Sequence, residues 1–245
     1  MDPLRRTNVY DLMIAALAVI LVYNFYSFGA ENILPVIIIV LSAAVLDVAI
    51  NYAKERKFSA PKSAIITGLI LAIIAQGSLP LLVALAVIAI LSKHVIRLKG
   101  RHIFNPANFA LFIGLFFASE TWWGTGNALL VGLIGLVIVF KLKRYRMVAP
   151  FLVAHAVIMV VIFVDASALA AHMLSGPLLF FAFYMLIEPV TSPQKHMLVF
   201  GVLAGVFAAI LYVVWLPAML VGALFFANLS VPVIERVLRP KSGQA

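Results

Sequence analysis

Of the 245 residues, 65% are apolar and 11% are charged, mean hydropathy is +1.15, and there is no cysteine. A soluble domain carries about a quarter of its residues charged, so a water-soluble fold is excluded, as are disulfides, thiolate metal sites and Fe–S ligation by this chain alone. The net charge of +9 would point a soluble protein toward nucleic acid, but here it reads as a bias of the loops, and no nucleic-acid partner is expected.

The apolar residues form runs suited to a hydrocarbon core of about 30 Å, which takes about 20 helical residues to cross. Backbone amides in lipid must pair internally, and the runs lack the alternation of barrel strands, so helices are predicted. In chain order they are Tyr10–Phe28, Leu34–Ala53, Ala64–Gln76, Leu79–Ile96, Phe104–Ser119, Thr125–Phe140, Met147–Val164, Leu169–Ile187, Met197–Val214 and Leu216–Ile234. The first follows Arg5 and Arg6; a cleaved signal peptide is the rival reading, but no small-residue cleavage site closes the run. The third is too short to cross alone as an uninterrupted helix, and a rival count fuses it with the fourth across Gly77-Ser78-Leu79-Pro80.

Charge separates these counts. With ten spans, all 18 Lys and Arg residues fall on one side: Arg5 and Arg6, Lys54–Lys62, Lys93–Arg101, Lys141–Arg146, Lys195 and Arg236–Lys241. The opposite loops carry Glu31, Glu120 and Asp165. Fusing the third and fourth spans would put the Lys54 and Lys93 clusters on opposite faces, against the rule that sets orientation. The expectation is an all-α integral membrane protein of the cell's inner membrane, multi-pass, with both termini cytoplasmic.

Ten spans divide into five and five, and an odd number per half makes the halves inverted repeats, residues 1–122 and 123–245, within one membrane domain. Echoes in the sequence agree. Thr67-Gly68 opens the third span, which breaks at Gly77–Pro80, and Ser175-Gly176 opens the eighth, which breaks at Glu188-Pro189. Paired, interrupted helices at matching positions point to a midplane site, while the plain alternative is kinking relieved by neighbouring helices.

Ionisable groups inside spans are costly and mark functional candidates. Asp47 and His155 are such groups, each with a plainer reading: Asp47 snorkels or pairs with Lys54, and His155 is a hydrogen-bonded core residue. Glu188 lies at the break of the eighth span, before Pro189-Val190-Thr191-Ser192-Pro193. Asn105-Pro106 suits a helix start, with asparagine as cap and proline in the first turn. Asn108, one turn deeper, needs a partner for its amide, and the two amides could hold a polar heterocycle.

These segments carry a resemblance. Thr67-Gly68, Pro80, Lys93-His94 and Phe104-Asn105-Pro106-Ala107 resemble the first-half signature of the NqrB/RnfD family. Leu174-Ser175-Gly176 and Glu188-Pro189-Val190-Thr191-Ser192-Pro193 resemble its second half, which usually has Ala-Thr-Asp before Pro-Val-Thr-Ser-Pro, and Ala227-Asn228-Leu229-Ser230-Val231-Pro232 is similar to its closing Ala-Asn-x-x-x-Pro. The resemblance implies a urea-transporter-like fold of ten helices in inverted halves. It also implies a place in sodium- or proton-linked redox complexes (of the Nqr and Rnf kinds) with other membrane subunits and redox proteins. One flavin is held covalently in that family, through the threonine of an outer Asp-Gly-x-Ser-Gly-Ala-Thr loop, and a second non-covalently near Asn-Pro.

The chain departs from the pattern in places. Its outer loop reads Ser119-Glu120-Thr121-Trp122-Trp123-Gly124-Thr125-Gly126, without Ser-Gly-Ala-Thr, so no covalent FMN is expected. His102 stands where the family has a further asparagine. The expected cofactor is riboflavin or FMN, non-covalent, near Phe104, Asn105, Asn108, Thr67, Glu188 and Thr191, with Asp47, His155 and Glu188 on an ion pathway. Two other readings stand beside this one: a channel or carrier for a small solute on the same fold, and a scaffold that docks redox partners.

Overall fold

The structure, a computed structural model, describes residues 8–29, 31, 33–117 and 120–238; the predicted features at Arg5, Arg6, Ser119 and Arg239–Lys241 lie outside them. Among the described residues the fold is all-α, with eleven helices. They are α1 (Val9–Phe28), α2 (Ile33–Glu55), α3 (Lys62–Ile74), α4 (Leu79–Val95), α5 (Pro106–Gly114), α6 (Ala128–Lys141), α7 (Tyr145–Ile162), α8 (Ala166–Met173), α9 (Gly176–Phe180), α10 (Met197–Val214) and α11 (Met219–Val237). Two-residue strands pair as β1 (Ala75–Gln76) with β4 (Glu120–Thr121), and β2 (Arg97–Leu98) with β3 (Arg101–His102).

Helix occupies part of every predicted segment, but not always at spanning length. Five helical stretches are long and apolar enough to cross a membrane: α1, α2, α7, α10 and Leu216–Val237. A sixth counts if α8 and Gly176–Met185, bent by 44° at their junction, form one span. The remaining four, α3, α4, α5 with its 3₁₀ extension to Phe117, and α6, are shorter apolar helices. The chain is a multi-pass membrane protein.

The eighth predicted span shows why lengths fall short. It breaks inside, at Leu174–Ser175, as well as at Glu188. Pro177 has no N–H to donate and its ring clashes with a preceding turn, so a helix restarts there but cannot run through. Past Phe180 the backbone widens into a π-helix, Phe181–Met185, wholly buried, whose Tyr184 hydroxyl donates to the Val131 carbonyl at 2.9 Å.

Large apolar side chains cover the outside, among them Tyr26, Val161 and Val213, as a surface wetted by lipid permits. Inside, α10 meets α7 through Gly201 and Gly205, both buried and four residues apart. The Gly-x-x-x-Gly spacing lets two helix backbones touch. A Cβ on Gly205 would stand 2.6 Å from the Phe151 carbonyl oxygen, so only glycine fits.

Candidate functional site

The sequence that joins α4 to α5 folds back as a hairpin. Lys99 and Gly100 form its tip with φ of 51° and 82°, the left-handed pair of a two-residue hairpin turn. The Arg97 guanidinium donates to the Gly100 carbonyl and closes the turn. Three residues past the hairpin stands Asn105, whose side chain accepts from the Asn108 N–H at 3.0 Å and caps α5, with Pro106 as the first helical residue.

Opposite the hairpin lies the Glu188–Pro193 turn. The Glu188 carboxylate accepts from the Thr191 hydroxyl at 3.1 Å, and His102 Nε2 stands 3.4 Å from its other oxygen. The Ser192 hydroxyl donates to the Glu188 carbonyl at 2.6 Å, and buried Arg144 reaches the Pro193 carbonyl at 3.4 Å. Asn228 of α11 links the two segments: its oxygen accepts from the Asn105 N–H at 3.2 Å, and its amide donates to the Thr191 carbonyl at 3.4 Å. A carboxylate, two hydroxyls, an imidazole and two asparagines are thereby held in one network.

This network floors a cleft of about 690 Å³. Thr191, Ser192, Asn228 and His102 line it below, and Lys99, Arg101, Glu235 and Arg236 ring the mouth. Such a volume suits a cofactor-sized molecule. The polar floor can hydrogen-bond a ring edge or hydroxyls, and the basic mouth can hold an anion. The residues present therefore fit a flavin, although among the described lining residues His102 supplies the aromatic ring and no Phe, Tyr or Trp does.

The predicted cofactor residues take different places around this cleft. Thr191 lines it and Glu188 braces Thr191 beneath it. Asn105 reaches it through Asn228. Asn108 is wholly buried, its amide donating to the Val221 carbonyl at 2.8 Å and its oxygen left without a partner. Phe104 lies parallel to Phe225, with ring centroids 4.7 Å apart, so that face is covered. Thr67 donates within its own helix to the Ser63 carbonyl at 3.0 Å. Asn228 and the basic rim are site residues that the sequence does not single out; the signal for Asn228 is its place in the closing Ala-Asn-x-x-x-Pro.

Asp47 and His155 sit away from the cleft. Asp47 is 3% exposed, and one of its oxygens takes both Lys93 Nζ at 3.0 Å and His94 Nε2 at 2.8 Å. Its partners are the Lys93-His94 pair of α4, whereas spacing alone offers Lys54. His155 is fully buried and pairs with His172 of α8, Nε2 to Nε2, at 2.9 Å.

A D-type subunit of the ion-translocating oxidoreductase complex of Escherichia fergusonii is 32% identical over 156 residues, covering 58% of this chain and 42% of that protein. The match thus takes in less than half the length of that relative. The model of the NQR2, RnfD, RnfE family matches residues 4–125 and 108–243, nearly the whole chain, and the protein belongs to that family.

Proposed function

We propose that the chain is the membrane subunit of an ion-translocating electron-transfer complex, working beside other membrane subunits and redox proteins in the manner of RnfD. Its ten helical segments cross the inner membrane as two inverted five-helix halves, with both termini and every basic loop cytoplasmic. The observation that carries the reading is the cleft between the hairpin and the Glu188–Pro193 turn, built from the two segments that resemble the family's signatures.

In this reading the cleft holds riboflavin or FMN without a covalent bond. Thr191, Ser192 and Asn228 hydrogen-bond the flavin, and Lys99, Arg101 and Arg236 would hold a phosphate. Once bound, a flavin supplies one- and two-electron transfer. Glu188 orients the Thr191 hydroxyl, Asn105 orients Asn228, and Phe104 and Asn108 support the walls from behind, while Thr67 stays bonded within its own helix. Asp47, His155 and Glu188 are the ionisable groups of the ion pathway. Covalent attachment is not expected, because the outer loop lacks the acceptor sequence.

The test is flavin content. Gently purified protein should show flavin absorbance, or bind riboflavin or FMN in titration, with no fluorescent band on a denaturing gel. Asn228→Leu and Thr191→Val should each weaken binding by about tenfold to a hundredfold, since a lost buried partner costs about 1–3 kcal/mol. A protein that carries and binds no flavin sinks this reading.

A second reading has its own observation. A crevice of about 680 Å³, lined by Glu120, Trp123, Trp215 and Leu220, opens at the end of α11 opposite to the cleft beside Arg236. Two openings at opposite ends suit a channel or carrier for a small solute. Solute flux into liposomes without a reductant would favour it.

A further inference from the structure

His155 and His172 lie away from the cleft, and the flavin reading does not use their contact. Their meeting follows from the chain's path. α7 ends at Ile162, the backbone turns through Phe163, Val164 and Asp165, and α8 packs back against α7. His155 lies eight residues before Phe163 and His172 seven residues after Asp165. At 1.5 Å per helical residue both stand about 10–12 Å from the turn, at the same depth.

The partners fix the protons. His155 Nδ1 faces the Gly205 carbonyl at 3.4 Å, which can only accept, so that nitrogen carries the hydrogen. His155 Nε2 is then bare and accepts from the Nε2–H of His172 at 2.9 Å. This leaves His172 Nδ1 as a free lone pair on the half-buried ring, while His155 is fully buried.

We propose that His155 and His172 form a one-proton binding site on the face opposite the basic loops. A proton arriving at His172 Nδ1 gives an imidazolium whose Nε2–H already points at His155. Transfer of that hydrogen to His155 Nε2 returns His172 to a neutral ring, protonated on Nδ1, and leaves the charge on the buried ring. No bond other than N–H changes, and no co-reactant is needed.

Three aromatic rings offset part of the cost of burying a cation here. Phe163 and Tyr212 have ring centroids 5.2 Å from His172, and Phe151 stacks on His155 at 6.0 Å and 9°. Aromatic faces at such distances attract a cation. Among the described residues Tyr212 of α10 is the other titratable group touching the pair. Asp165, at the head of α8, turns its carboxylate to Ser167 and Ala168, and the Ser167 hydroxyl and those backbone N–H groups hold it below the usual carboxylate range.

The test is histidine-labelled ¹⁵N NMR on the full chain in detergent, whose five histidines can be assigned by single substitution. Between about pH 4 and 9, both rings should report one shared protonation midpoint, because groups coupled by more than about one unit titrate as a pair. His172→Gln should move the midpoint of His155 by about one pH unit or more. Wild-type protein alone provides a second measurement, a ¹⁵N–¹⁵N coupling across the Nε2–H···Nε2 bond. Independent midpoints, no protonation across the range, or no coupling would each overturn the proposal. None of these readouts involves flavin, so the site stands or falls apart from the reading of the cleft.

Discussion

At the scale of single residues, Asp47 carries the clearest energetic consequence. Its carboxylate, 3% exposed, is the shared partner of Lys93 and His94. Asp47→Leu removes that partner and leaves the Lys93 ammonium, itself mostly buried, without a counter-charge, which costs about 3–5 kcal/mol. Lys93→Met is milder, because His94 still hydrogen-bonds the Asp47 carboxylate at 2.8 Å. The double variant should cost less than the two singles together, by about 1–3 kcal/mol, as unfolding midpoints in mixed micelles would record. Strict additivity would mean the pair is not formed. Asp47 is legible in the sequence, since a carboxylate in an apolar run stands out, but its partners are not. Lys54 lies two helical turns along the same face, within reach of spacing; Lys93 and His94 are brought in by helix packing, which spacing cannot show. Asn108 teaches the same lesson: its need for a partner is readable, but a backbone carbonyl such as that of Val221 leaves no mark in a sequence. His172 hides inside a predicted span, and its signal is the near-symmetric spacing of two histidines about one turn.

At the scale of elements, glycine decides which helices can touch. The two hydroxyl–glycine pairs that look alike in sequence both mark close approaches. A Cβ on Gly68 would lie 2.8 Å from the Val40 Cα, and one on Gly176 would overlap the Thr125 carbonyl. The α7–α10 contact offers a measurable case. Gly205→Ala must push α10 away from the Phe151 carbonyl and should lower stability by about 1–3 kcal/mol. Gly132→Ala in α6 meets Leu179 at an ordinary 3.5 Å and should be neutral, or stabilising by up to about 1 kcal/mol. Thermal midpoints of the two variants side by side make the comparison, and equal losses would contradict the packing described. Helices and their proline breaks are legible because apolar runs and prolines are local features of a sequence. The β2–β3 hairpin is not, since two-residue strands are too short to show alternation, and the π-helix at Phe181–Met185 has no pattern that separates it from a buried α-helix.

At the scale of the whole molecule, the four short helices must be fitted to the thickness of the membrane. α3 has 13 residues, about 20 Å of helix, and β1 adds two extended residues, about 7 Å more. Together they come close to the hydrocarbon thickness of about 30 Å. Extended backbone at that depth is tolerable only where protein satisfies it, and here β4 pairs with β1 while the Trp122 N–H donates to the Ile74 carbonyl at 2.7 Å. Physical reasoning therefore favours a complete crossing between Lys57 and Ser78, both exposed at the two ends of this segment. The rival is a re-entrant α3 that leaves both residues on one side, which would place the Lys54 and Lys93 clusters on opposite faces. Because the chain has no cysteine, single-cysteine variants give an unambiguous answer without removing native thiols. In intact cells Ser78→Cys should react with a membrane-impermeant maleimide. Lys57→Cys should react only after permeabilisation, as the one-sided placement of lysine and arginine requires. Labelling of both positions from one side would overturn the ten-span inverted arrangement and leave the third segment re-entrant, and labelling of Lys57→Cys alone from outside would overturn the cytoplasmic placement of the basic loops.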